Sequence, residues 1–170
     1  MKPFDQVLAD LVSRPDCHFK PAAGLPVLPP DLRLPADLAA FYERFGEARL
    51  FGDIHDPHCY VLPPQEFVQV GEAIMGEPTT AGTERTWYAL AHVQDGNYFG
   101  IDLLPERLGW CYDCFHETYG VPGHCTVIAR SFTELLNHVA TAGDEAFWLS
   151  PDFPGYGDAY DSGTPRVEAS

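Results

Sequence analysis

Three groups of residues in this sequence have types and spacing that chemistry can use. Cys111-x-x-Cys114 is followed by His116, His124 and Cys125, the thiol and imidazole ligands that zinc favours. Asp53, His55, Asp56, His58 and Cys59 crowd into one short stretch, a set suited to a metal ion or to acid–base work. Asp102, Asp113, His116 and Glu117 are the third group, because a histidine beside carboxylates can act as a general base.

Each group must be weighed against the element that carries it. Residues 109–116 read as a strand, since Trp110, Tyr112 and Phe115 suit a pleated surface. Three positions apart on a strand, Cys111 and Cys114 face opposite sides and cannot share one tetrahedral ion. They read instead as small buried thiols. Residues 53–58 read as a solvated loop in which Pro57 supplies turn chemistry. The third group has no nucleophile motif beside it: the sequence contains no G-x-S-x-G, no phosphate loop and no H-E-x-x-H. As a contact surface the same region makes better sense. Asp95, Asn97, Tyr98, Tyr112, Asp113, His116, Glu117 and Tyr119 combine tyrosines, which give contact area at low entropic cost, with acids to meet Arg or Lys. Asp95 belongs first to its turn. The expectation is a partner-binding surface, with no catalytic, cofactor or metal residues.

The elements that position these residues follow from periodicity. Residues 87–93 and 98–103 are aromatic and aliphatic strands joined through Asp95-Gly96, a hairpin signal. Pro105 interrupts the pairing and opens a loop. Residues 127–129 give another short strand. Ser131 with Glu134 forms a capping-box pattern, and Phe132, Leu135, Leu136 and Val139 recur on one face of a closing helix. Upstream, Phe4, Val7, Leu8, Leu11 and Val12 predict an amphipathic helix. Pro15, Pro21, Pro26, Pro29, Pro30 and Pro35 predict a wrapping linker without helix or central strand. A second helix opens at Pro35 on Leu38, Phe41, Tyr42 and Phe45, with Gly46 in a left-handed C-terminal position. Short strands are expected at residues 50–52 and 59–62, and a helix at residues 66–75 that Gly71 weakens. Residues 151–170, acidic, Gly-rich and dotted with Phe153, Tyr156 and Tyr160, predict a tail that is mobile or pinned only by its aromatics.

Composition bounds the function. A hydrophobic share of 45% with 21% charged residues is globular, so global disorder is not expected. Twenty-five acids against ten Lys and Arg give a net charge of −15, which argues against direct nucleic-acid binding because phosphates need cations. The same charge steers a basic partner. No apolar run has the length of a signal peptide or membrane span, and five cysteines do not make a disulfide framework. A cytoplasmic protein without membrane contact is expected.

In order, the segments LPADLAAFYERFG at 34–46, YVLPPQEF at 60–67, LAHVQDGNYFGIDL at 90–103, GWCYDCFHE at 109–117 and ARSFTELL at 129–136 resemble the SUKH superfamily. That superfamily holds yeast cell-wall-synthesis regulators and bacterial immunity proteins of polymorphic toxin systems. The chain departs from its pattern in lacking the usual Asn before Gly46 and in placing cysteines on the aromatic strand. The resemblance implies an α+β fold, a central mostly antiparallel meander sheet flanked by helices, with no catalytic residues. It divides the chain into an N-terminal helix and Pro-rich segment (1–33), a SUKH-like domain (34–149) and an acidic, aromatic tail (150–170). It also implies a toxin-binding partner role, and an acidic antidote would be complementary to a basic, nucleic-acid-directed toxin domain. Two other roles stay open at this point: an intracellular scaffold or regulator, and a metal-dependent hydrolase built on the His55–His58 loop.

Overall fold

Seven strands pair in the order in which the chain makes them, every neighbour antiparallel. The computed structural model describes residues 1–161, apart from the side chain of Asp95. The strands are β1 (Cys17–Pro21), β2 (Phe45–Asp53), β3 (Asp56–Val61), β4 (Trp87–Val93), β5 (Asn97–Asp102), β6 (Cys111–Cys114) and β7 (Val127–Ala129). This is the expected α+β meander. Its connections alternate between the two ends of the sheet, so the turns β2–β3, β4–β5 and β6–β7 all lie at one end.

Strand alternation gives the sheet two buried faces. On the first face lie Leu50, Val61, Leu90, Phe99, Ile101, Cys111 and Ile128. Three helices cover it: α1 (Phe4–Val12), α2 (Ala36–Arg44) and α4 (Phe132–Ala142). Their apolar positions are those the helical period selects, with Leu11, Leu38, Phe41 and Phe132 fully buried. Ser131 caps α4 by accepting from the N–H of Glu134 at 3.0 Å, and Glu134 reaches back to the N–H of Arg130 at 2.9 Å. The second face is smaller and more aromatic. Trp87, Ala89, Tyr112, Cys114 and Val127 pack there under α3 (Val70–Met75) and Ala159.

The structure departs from the sequence expectations in several places. The Pro-rich segment contains a strand after all. Because β1 is an edge strand, and Pro21 is its last residue at a register shift, the missing N–H breaks no central ladder. Gly46 is not left-handed: α2 runs directly into β2 through Phe45 at φ −136°. Glycine is needed there for space, since a Cβ would stand 2.6 Å from the Pro21 carbonyl oxygen. Residues 66–75 are not one helix but a 3-10 turn (Pro64–Glu66) followed by α3. Between them the chain is drawn onto β4, where Ala89 donates to the Val68 carbonyl at 2.7 Å and Gln69 bridges Tyr88. Finally, strands β2 and β3 extend into the expected loop, leaving a two-residue turn at Ile54-His55.

The C-terminal segment is held by its backbone as well as its rings. Tyr156 donates to the Val127 carbonyl at 2.8 Å, Val127 to Gly157 at 2.8 Å, and Ala159 to Cys125 at 2.7 Å. Asp158 accepts from the N–H groups of Gly123, Cys125 and Tyr160. Arg107, only 3% exposed, donates to the Ala159 carbonyl at 2.7 Å and the Asp161 carbonyl at 3.2 Å. The expectation of a tail pinned only by aromatics is therefore corrected as far as Asp161; Gly163, Arg166 and Glu168 fall outside the described residues.

Candidate partner-binding surface

Antiparallel strands joined by short turns bring distant sequence to one rim. At the end that carries the β2–β3, β4–β5 and β6–β7 connections, α4 also terminates, and residues 143–149 fold against His58, Gln94 and Phe99. Asp53, Asp56, Glu117, Asp144 and Glu145 are exposed there. The cations near this rim are already engaged. Arg14 makes a two-point contact with Asp16 at 2.9 Å, and Arg49 donates to Glu47 at 2.9 Å and to the Ile54 carbonyl at 3.0 Å. With these two guanidiniums committed to Asp16 and Glu47, the exposed carboxylates of the rim set a negative field.

The expected surface residues separate into three places. Asp95 lies in the β4–β5 turn, where Gly96 takes the left-handed φ of 77°. Asn97 opens β5 and ties the turn to the β6–β7 loop: its Oδ1 accepts from the N–H of His116 at 3.0 Å and lies 2.8 Å from His116 Nδ1. His116 and Glu117 are exposed beside it, 3.7 Å apart. Asp113, paired with Phe99, is half-buried at the same rim, and burial alone pushes its carboxyl up to about 6. These five positions come together. Tyr98 lies on the second face, edge-on to His92 at 5.3 Å. Tyr112 and Tyr119 belong to the second core. Tyr112 is fully buried, 4.7 Å from the Trp87 ring, with its hydroxyl donating to Asp102 at 2.5 Å. The C-terminal segment closes over the face that Tyr112 occupies, which the strand pattern alone could not reveal. Tyr119 is half-buried edge-on to Trp87.

The cysteine and histidine groups resolve into structure. Cys111 faces the first core and Cys114 the second, and all five thiols are free and buried. Burial pushes the Cys59 thiol up to about 12 and that of Cys111 well above its ordinary range. In the β2–β3 turn the N–H of His55 donates to Asp53 Oδ1 at 2.8 Å, an Asx turn. His58 Nδ1 lies 2.7 Å from Gln94 Nε2, joining two hairpins. Among the described residues no three His, Cys, Asp or Glu side chains are placed to hold one metal ion.

Two features of this region were not foreseen. One is a cavity of about 440 Å³ at the rim, with Asp113, Phe115 and Trp148 on its walls. Only the cost of exposing Trp148 hinted at it. The other is a row across six strands of the second face, His18, Arg49, Tyr60, His92, Tyr98 and Cys114, which depends on register. Within it, Arg49 stacks 4.2 Å from the Tyr60 ring.

Comparison with known proteins agrees with the fold. The SMI1 / KNR4 family (SUKH-1) matches residues 31–138. The chain is 36% identical over 158 residues to "Immunity protein YokJ" of Bacillus subtilis (strain 168), covering 92% of this chain and 95% of that protein. No solved structure matches the chain.

Proposed function

Because the chain belongs to the SMI1 / KNR4 family (SUKH-1), we propose that it is a non-catalytic immunity protein that binds and neutralises a cognate toxin domain. The observation that carries this reading is the likeness to an immunity protein along almost the whole of both chains. The toxin is a basic, nucleic-acid-directed domain of a polymorphic toxin system, and both proteins meet in the cytoplasm. A net charge of −15 supports that choice, since a toxin that grips phosphates carries the cations this surface lacks. Among the described residues no helix is long and apolar enough to cross a membrane.

Binding proceeds in two physical steps. The negative field steers the toxin and raises its association rate, an effect that weakens as salt screens it. The rim formed by Asp95, Asn97, Asp113, His116 and Glu117 then docks, and the bulk of the domain occludes the toxin's own site. No bond is made or broken, so neutralisation is stoichiometric.

The test is affinity capture of the tagged chain from its own cell lysate at low and high salt, followed by co-expression with the captured partner. Restored growth and a one-to-one complex that loosens with salt are the expected results. Capture of a cellular assembly instead, with no protection, would transfer the protein to the regulator role.

A further inference from the structure

We propose that the cavity beside Asp113 is a socket for a single arginine side chain of the partner protein. This rests on the toxin-binding reading above and names the chemistry of its central contact. Gln94, Asn97, Asp113, Phe115, Thr118 and Trp148 line a space of about 440 Å³, within the usual range of built ligand sites.

The walls and the charge select the occupant. Phe115 and Trp148 are half-buried, and Trp148 is fixed edge-on between Phe99 at 4.8 Å and Phe147 at 5.3 Å. The one acidic group in the cavity is the Asp113 carboxylate. Among the described residues no cation and no hydrogen-bond donor reaches it, although its own N–H is satisfied by the Thr126 carbonyl at 2.9 Å. Burial raises its pKa with nothing opposing the shift, and the half-buried carboxylate has no protein partner among the described residues. Asn97 is committed to His116 and stiffens the rim.

An anion is excluded by this carboxylate. An apolar side chain would finish burying it unpaired, at a cost. Lysine would bring a strongly hydrated point charge to aromatic walls. Arginine answers every feature, because its planar guanidinium forks onto a carboxylate, stacks on aromatic rings and sheds water readily. His124, the other titratable group of the cavity, is exposed and does not oppose a cation while neutral.

The experiment titrates the full chain with N-acetyl-arginine amide at neutral pH, followed by ¹H–¹⁵N NMR. Saturable shifts at Gln94, Asp113 and the Trp148 indole are expected, with none from the isosteric citrulline amide. Asp113→Asn, which removes the charge but keeps the shape, should weaken the shifts at least about tenfold, and Trp148→Leu should weaken them less. Shifts scattered over the acidic surface and unchanged in Asp113→Asn would overturn the socket, as would equal binding of citrulline amide. The two readings fail separately. A chain that still protects cells with Asp113→Asn in place loses the socket and keeps the toxin. One that binds the arginine amide at Asp113 but protects against nothing keeps the socket and loses the toxin.

Discussion

Asp102 and Asp113 stand on adjacent strands of one sheet, and the protein treats them in opposite ways. Asp102 is 1% exposed, yet its carboxylate accepts from the hydroxyls of Tyr112 at 2.5 Å and Thr86 at 2.7 Å and from the N–H of Leu104 at 2.9 Å. Arg107 stands behind Tyr112 and reaches on to the C-terminal segment. Asp113 is more exposed and has none of this. A buried polar group that is fully hydrogen-bonded fixes a fold, whereas one left unsatisfied costs stability. The satisfied carboxylate is structural. The half-buried one, without a protein partner among the described residues, sits at the rim, where another protein can reach it.

The comparison is broken most forcefully at Asp102. Asp102→Ala orphans two hydroxyls and an N–H and should destabilise the protein by roughly 3 kcal/mol, read as a lower urea midpoint. Asp113→Asn should do the reverse, stabilising at pH 7 by on the order of 1–3 kcal/mol. The sign follows from linkage. The Asp113 carboxyl titrates near 6 in the folded chain against an ordinary 3.8, so the native state binds the proton more tightly. Its contribution to stability is fullest below the unfolded pKa and is lost as pH rises through about 6. The advantage of Asp113→Asn over the parent should therefore vanish by about pH 4; an advantage that persists there would contradict an uncompensated carboxylate.

Finer tests sharpen the same contrast. Tyr112→Phe removes one donor from Asp102 without opening a cavity and should cost about 1–2 kcal/mol while leaving partner affinity alone. Glu117→Lys, at an exposed position, should leave stability within about 0.5 kcal/mol but slow association with a basic partner and flatten its salt dependence. An unchanged association rate in stopped-flow mixing would remove Glu117 from the docking rim.

Much of the scaffold was legible because local signals agreed with the tertiary result. α1 follows the spacing of Val7, Leu8 and Leu11, and β4 and β7 occupy the expected residues. Ser131 caps α4 as its motif requires. The failures share a cause: a neighbour distant in sequence decided the conformation. Gly46 answers to the Pro21 carbonyl, β1 forms because β2 offers it an edge, and Tyr112 shares its core with Ala159 and Tyr160 of the C-terminal segment. Of the expected surface, the polar residues near the turns lie together at the rim, because turns sit there. Tyr112 went instead into the second core, because the same rings serve cores and interfaces alike. Register, which places Asp113 in a cavity with Trp148, is invisible to periodicity.

The pairing of residues 156–159 along the outer side of β7 has a consequence for assembly. It occupies the N–H and carbonyl of Val127 that would otherwise face solvent, leaving β1 as the open edge of the sheet. A subunit with one free edge can recruit one neighbour and stop; a subunit with two can add copies in both directions without limit. The C-terminal segment thus covers one edge of the sheet with its own backbone. A version ending at residue 150 would expose the Val127 backbone groups and is expected to self-associate more with concentration, read by sedimentation velocity.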